Sequence, residues 1–448
     1  MQLEKRAYLR AALTAASCSL LGVVPGVEAA VSYDPIKTDS ALLFYGEKDR
    51  VNVVEAAANV VVPTDGDENT LTIKPTIDTI SGATPNGASP TDKAQTIGNI
   101  TTTAGALPLS SFTDQRLSVS LQWADKLDRM NRSITGVDLS AENDYRSVGA
   151  SYQYLHDFNN KLSTLSAGLS GSFDVIDSST GTIPDGLSAV SAQQAAVTGV
   201  VSVARPGSQV QAVTGSSGTV SSGSGGIDWS SFRSKELIDS MVGLTQVVNR
   251  RTLMQFNYSA GVSNGYLTDP YKIISQVDGT TGETVAYLTE NRPSFRLRQS
   301  LYWKTVLHLP EDVIHLSYRH YWDSWKIVSD TVELNYHCRL SHNGFYFEPS
   351  VRYYSQDAAD FFHYSLSDSE PLPKYASADY RLAKMDSTTY TIKLAVPLAS
   401  DNELSLRYSQ MHQQGDSHPQ DAIGIQDSLN MYPGLDARTI QLNWNFSF

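Results

Sequence analysis

The sequence predicts an all-β fold, a transmembrane antiparallel up-and-down β-barrel of about 14 strands (about 12 or 16 as alternatives) with both termini periplasmic. Three observations carry this. The N-terminus reads as a secretory signal, the last residues alternate strictly between apolar and polar, and the same alternation recurs along the chain in segments of about 10 to 14 residues. That length suits a tilted strand crossing the hydrocarbon.

The signal covers residues 1–29, with a basic start at Lys5, Arg6 and Arg10, an apolar stretch from Ala11 to Val24 and a small-residue site ending at Ala29. Its removal takes away Cys18, so the mature chain keeps Cys338 alone and forms no internal disulfide. Residues 30–50 read as an N-terminal periplasmic segment and 51–448 as the barrel. At the far end Ile440, Leu442, Trp444, Phe446 and Phe448 alternate with Thr439, Gln441, Asn443, Asn445 and Ser447. One wholly apolar face and one wholly polar face mark a strand that separates two solvents, and Trp444, Phe446 and Phe448 form an expected barrel-assembly signature.

Between these ends, segments 51–62 and 70–81 and the rows led by Leu117, Leu165, Met254, Phe295, Ile314, Val332, Phe345, Tyr390 and Leu404 repeat the pattern. Short turns at 158–160, 249–251, 309–311, 341–343 and 399–402 read as periplasmic, and long connections at 127–145, 177–234, 264–293, 356–386 and 413–436 as extracellular. The nearly uncharged stretch 177–234 reads as a flexible extracellular insertion. Tyr271 to Leu288, turning at Asp278-Gly279, reads as a hairpin above the membrane; if it crossed the bilayer the count would rise to about 16. Residues 82–114 are too long for a periplasmic turn, and Gly82, Pro85 and Gly87 suit a compact plug loop entering from the periplasmic side, with the segment 30–50 as the alternative plug.

Composition narrows the function. The 448 residues would suggest about two or three globular domains, a reading that one barrel replaces. Beyond the signal no apolar run is long enough for a transmembrane helix. Two cysteines without a C-x-x-C pair exclude zinc ribbons, thioredoxin-type chemistry and c-type haem, and a net charge of -13 without a basic run argues against nucleic acid. No metal-ligand spacing and no G-x-S-x-G occur, so neither cofactor nor enzyme is expected. The 23 Tyr, 13 Phe and 6 Trp are many for such a polar chain, and outward strand faces near the membrane interfaces account for them.

The Asp78 to Ala88 run, Phe112 to Arg116, Tyr266 to Lys272, and Tyr321-Trp322-Asp323-Ser324-Trp325 resemble domain of unknown function 3570, a family of secreted Gram-negative proteins. The resemblance spans nearly the whole mature chain. It implies an outer-membrane barrel and supplies no activity, so no catalytic residue follows from it.

With Phe295, Leu297, Leu301 and Trp303 facing lipid, the phase turns Arg296, Arg298 and Lys304 inward, and carried across the next strands it adds Arg319, Glu333, His337, Arg339, Glu348 and Arg352 as lumen-lining candidates. Alternating signs suit either a bracing salt-bridge lattice, the favoured reading, or a selective polar lining. The expected function is a porin-like or substrate-selective transport channel; the alternative is a non-conducting scaffold barrel for a periplasmic, surface or electron-transfer partner, with an outer-membrane hydrolase starting from His320 a distant third. Outer-membrane lipid and the barrel-assembly machinery are the expected partners, and the outer membrane of a Gram-negative bacterium the expected location.

Overall fold

The computed structural model describes residues 36–64, 69–97, 100–177, 183–184, 186–190, 232–340, 344–399 and 402–447. The signal, most of the insertion at 177–234 and Phe448 lie outside these. In chain order the first strands are β1 (Lys37–Glu47), β2 (Val51–Thr64), β3 (Asn69–Pro85), β4 (Gln95–Ile97), β5 (Ile100–Thr102), β6 (Leu109–Lys126) and β7 (Asn131–Ala141). They are followed by β8 (Tyr145–Phe158), β9 (Ser163–Asp177), β10 (Phe232–Asn249), β11 (Thr252–Gly265), β12 (Ile273–Val277), β13 (Thr284–Thr289) and β14 (Phe295–His308). The last are β15 (Val313–Asp323), β16 (Val328–Arg339), β17 (Tyr346–Gln356), β18 (Leu366–Ser367), β19 (Met385–Ala399), β20 (Asn402–Gly415) and β21 (Leu435–Ser447).

Sixteen of them close an antiparallel barrel in the order β1-β2-β3-β6-β7-β8-β9-β10-β11-β14-β15-β16-β17-β19-β20-β21. The last strand pairs the first from Lys37↔Ser447 to Glu47↔Ala437, so the described wall has no free edge.

The count of 14 is corrected to 16, and not through the hairpin that would have supplied two more crossings. Strand β12 pairs with β13 and, in parallel, with β18, in a separate small sheet. The missing strands are β1, inside the stretch read as a periplasmic segment, and β7, inside the stretch read as an extracellular loop. Both lack clear alternation: the outward row of β7 opens with Asn131, Ser133 and Thr135, and Leu43 and Tyr45 of β1 face inward between outward Leu42 and Phe44.

Adding β1 also reverses the direction assigned to 51–62, 70–81 and the strand led by Leu117, and β7 restores the assigned direction from β8 onward. The connection at 86–108 therefore lies at the same end as the long loops, opposite the end where the chain enters at Lys37 and leaves at Ser447. The expected entry of a plug from the terminal side is overturned.

The wall carries its apolar residues on the outside. Ile77, Leu117, Leu169, Ile238 and Tyr390 are each more than half exposed, and every strand of the barrel contributes to this outward surface. Such a continuous apolar surface is costly against water and favourable against hydrocarbon. Outward tyrosines hand their hydroxyls to the next strand, Tyr318 to Asp330 Oδ1 (2.6 Å) and Tyr353 to Asp386 Oδ1 (2.9 Å), keeping the ring in the apolar belt and the polar tip satisfied. Most of the fully buried apolar side chains instead sit among the loops, for example Ile274, Leu288, Leu366 and Ala376 in one cluster and Trp325, Ile327, Phe361 and Leu382 in another.

Candidate functional site

The ladder register sets which side chains share the lumen. Arg319 and Tyr302 are direct partners, as are Ser317 and Glu333, Glu333 and Arg352, and Glu348 and Lys393, all out of phase with the exposed apolar row. The nine candidates thus lie on the inward face of β14 to β17, but the structure sorts them into different roles.

Arg296 serves the mouth. Its guanidinium binds Asp323 Oδ2 (Nη2 at 2.5 Å, Nε at 2.8 Å) and lies 4.2 Å from the Trp325 ring, while Asp323 Oδ1 accepts the backbone N–H groups of Trp325 and Ile327. The Tyr321 to Trp325 motif is therefore a turn clamp. Arg298 reaches Asp239 Oδ1 at 3.0 Å in space left by Gly261, whose missing Cβ would stand 2.0 Å from that oxygen. Glu348 accepts from Asn335 (2.7 Å) and lies 3.3 Å from His337 Nδ1. Arg319 lies over the Tyr302 ring at 5.4 Å. Among the described residues, no carboxylate comes within 4.0 Å of the side-chain nitrogens of Lys304, Arg339 or Arg352. The lattice expected of alternating signs is thus formed in part only, because cross-strand neighbours such as Glu333 and Arg352 share a row without forming an ion pair.

Lumen residues that the sequence reading passed over include Lys393, 3.5 Å from Glu403, and Arg407 across the ladder from it. Their strands had been recognised, and extending the same phase by two strands would have found them. On the far wall the lumen face carries Gly136, Gly149, Gly168 and Gly243 among serines, with Gln122, Asp138, Gln153 and Met241 as their larger ladder partners.

Above this wall the mouth is covered. The Ile273 amide donates to the Asn86 carbonyl at 2.9 Å, joining the loop after β11 to the loop after β3. Five strands separate β3 from β11 along one side of the wall and nine along the other, so this bond bridges the opening. Ile425 N donates to Thr281 O and Asn291 N to Ala376 O, each at 2.9 Å, bringing in the loops after β20 and β17.

The plug candidates divide accordingly. Gly82 lies within β3, where φ is +136° and a Cβ would stand 2.1 Å from the Arg50 carbonyl oxygen; Pro85 ends that strand, and its carbonyl accepts from Lys272 Nζ. Gly87 belongs to the cap, with φ +98° and a Cβ position 2.1 Å from the Ile273 carbonyl oxygen. Asn86 Oδ1 accepts the Ala88 amide (2.9 Å), and Ser89 N donates to Ser275 Oγ (3.0 Å).

At the centre of the cap lies a buried network of three acids and three bases. Arg292 Nε is 2.6 Å from Glu290 Oε1, Arg292 Nη2 is 2.9 Å from Asp379 Oδ2, and Arg381 Nε donates to Asp379 Oδ1 at 2.8 Å. Arg381 Nη2 lies 3.4 Å from Asp269 Oδ2, and Lys272 stands over the Tyr380 ring at 5.7 Å. Burial opposes ionisation of Asp379, but Arg381, Lys272 and Arg292 outweigh it and hold the carboxyl well below its usual range. For Glu290, burial and then the charges of Asp269 and Asp379 push the carboxyl well above its usual range. The Tyr266 to Lys272 motif supplies two members of this network, so it fastens the cap.

His320 faces outward beside Trp322, its Nδ1 2.8 Å from Asp330 Oδ1. Its ladder partner on the other side is Leu301, so no hydroxyl stands opposite it there to act as a nucleophile. At the C-terminus, the Trp444 and Phe446 rings are 4.7 Å apart on the strand that closes the wall.

A family described as a protein of unknown function, DUF3570, matches residues 10–446. The chain belongs to the DUF3570 family. Among curated proteins none matches it. Solved structures similar to this DUF3570 chain include a monoaromatic hydrocarbon channel, CymD, at 7% identity and TM-score 0.38, covering 93% of this chain and 89% of that one. A bacterial polysaccharide outer membrane secretin gives 8% identity and TM-score 0.45 over 93% and 99% of the two chains. The siderophore receptor PirA from Acinetobacter baumannii gives 10% and 0.40 over 86% and 54%. Likenesses this distant identify neither a solute nor a mechanism.

Proposed function

We propose that this DUF3570 protein is an outer-membrane channel whose lumen carries a charged wall and whose extracellular mouth is closed at rest by its own loops. The observation that carries the reading is the Ile273 to Asn86 hydrogen bond, which ties loops from well-separated parts of the wall above a lumen with side-chain-free glycine positions on one side. In this reading the terminal end faces the periplasm, the secretory signal and the C-terminal aromatic strand bring the chain to the barrel-assembly machinery, and the barrel performs no chemistry of its own.

Planar-bilayer recording tests it. Full-length protein is expected to conduct weakly with infrequent openings, and deletion of residues 89–106 to give large steady steps. A folded deletion variant with unchanged conductance would overturn the gated channel. Absence of current in both proteins would favour the non-conducting scaffold, a reading supported by the same closed mouth, and a periplasmic or redox partner would then be sought by copurification.

A further inference from the structure

We infer that the lumen prefers small anionic solutes, carboxylates or phosphates, along the wall formed by β14 to β20. This rests on the channel reading above and adds the sign of the solute.

The acids of this wall are engaged locally. Glu348 is held by Asn335 and His337, and Glu403 by Lys393 at 3.5 Å and the Tyr346 hydroxyl at 2.9 Å. The bases are not matched in the same way: among the described residues the side-chain nitrogens of Lys304, Arg339, Arg352 and Arg407 have no carboxylate within 4.0 Å. Arg352 and Arg407 are also exposed, and the register turns both inward, so their guanidinium groups stand in the lumen. Glu333, across the ladder from Arg352, is the one acid of the wall's interior rows left to offset them.

The opposite wall sharpens the asymmetry. Gly149 and Gly168 place no side chain on the inward row across from the basic strip, and Asp138 is the exposed acid beside them. Charges of one sign between low-dielectric walls focus their field into the enclosed water, and a guanidinium fork matches the paired oxygens of a carboxylate or phosphate. A free arginine in a water-filled passage is therefore an intermediate station for an anion, strong enough to attract and weak enough to release.

Zero-current potentials in a KCl gradient test this, measured on the full-length protein and on its Arg292→Ala variant with a loosened cap. Chloride is expected to be more permeant than potassium. Arg352→Gln and Arg407→Gln are each expected to lower local chloride occupancy by about fivefold, the factor for one unit charge at contact distance in water. Arg352→Lys and Arg407→Lys are expected to retain the preference. Heat-modifiable gel migration establishes that each variant is a folded barrel. Potassium preference in the unaltered protein, or an unchanged permeability ratio in folded Gln variants, overturns the inference while leaving a channel. Absence of current in every variant overturns the channel reading, and the anion preference with it.

Discussion

Nη2 of Arg292 lies 2.9 Å from Oδ2 of Asp379, 87 residues further along the chain, and neither side chain is exposed. This pair joins the loop after β11 to the loop after β17, elements whose strands are separated by β14, β15 and β16 in the wall. A salt bridge so thoroughly removed from water contributes modestly compared with a well-packed apolar pair, but removing one partner leaves an uncompensated charge in a dry environment.

Arg292→Ala is expected to loosen the cap without opening the wall. Glu290 loses its guanidinium partner and Asp379 one of its two, Arg381 remaining, a cost of up to about 3 to 5 kcal/mol. Hydrogen exchange at residues 266–294 and 357–384 should rise sharply while strands such as β19 and β20 keep their protection. Unchanged exchange in those loops would show that the network does not hold the cap.

Gly87→Ala is expected to dislodge the loop after β3. The residue sits at φ +98°, a conformation L side chains resist, and the added Cβ would meet the Ile273 carbonyl oxygen at 2.1 Å. Limited proteolysis within 86–108 should become faster than in the parent, with Gly105→Ala as the contrast. Gly105 also has positive φ but nothing within 4 Å of its Cβ position, so it isolates the steric contact from the backbone strain. Equal cleavage rates for the two variants would contradict the contact.

The cap is expected to weaken in alkali. Burial pushes the Tyr287 phenol up to about 12, and burial followed by Glu47 does the same for Tyr380. A phenol whose folded value lies above its unfolded value of about 10 stabilises the folded state fully below that pH, and the contribution is lost as pH rises through the folded value. Proteolysis of the cap should therefore accelerate between these two limits, and the Tyr287→Phe, Tyr380→Phe double variant should flatten the rise. A pH-independent rate in the parent would rule this out.

The Arg116 and Asp78 pair makes a comparable prediction for the wall itself. Arg116 Nε lies 2.5 Å from Asp78 Oδ2, both side chains are at most 5% exposed, and Glu55 stands 3.7 Å away on the next strand. Arg116→Ala leaves two acids facing each other, again at a cost of about 3 to 5 kcal/mol. The midpoint of barrel unfolding in urea, followed by gel migration, should fall; an unaltered midpoint would mean that the pair does not support the wall.

Much of the wall was legible from local pattern. Leu117, Val119 and Leu121, or Ile392, Leu394 and Val396, report their face through alternation alone, because a strand between lipid and lumen repeats every second residue. The phase of Phe295 to Trp303 likewise placed Arg298, Lys304 and Arg352 on the inner face. Strands β1 and β7 were illegible for the converse reason: one carries apolar residues on both faces, the other begins its outward row with polar ones. The motifs around Asp269, Lys272 and Asp323 were visible as unusual text, yet nothing local stated that they fasten a cap.

The sequence by itself determined the fold class, the inward and outward faces of most strands and the family, since each is written in residues adjacent along the chain. Tertiary structure decided the closure at sixteen strands, the end of the barrel to which 86–108 belongs, and the division of lumen charges into paired and unpaired groups. Those depend on contacts such as Lys37 with Ser447, Asn86 with Ile273 and Arg292 with Asp379, in which partners far apart in sequence meet only because the wall closes on itself.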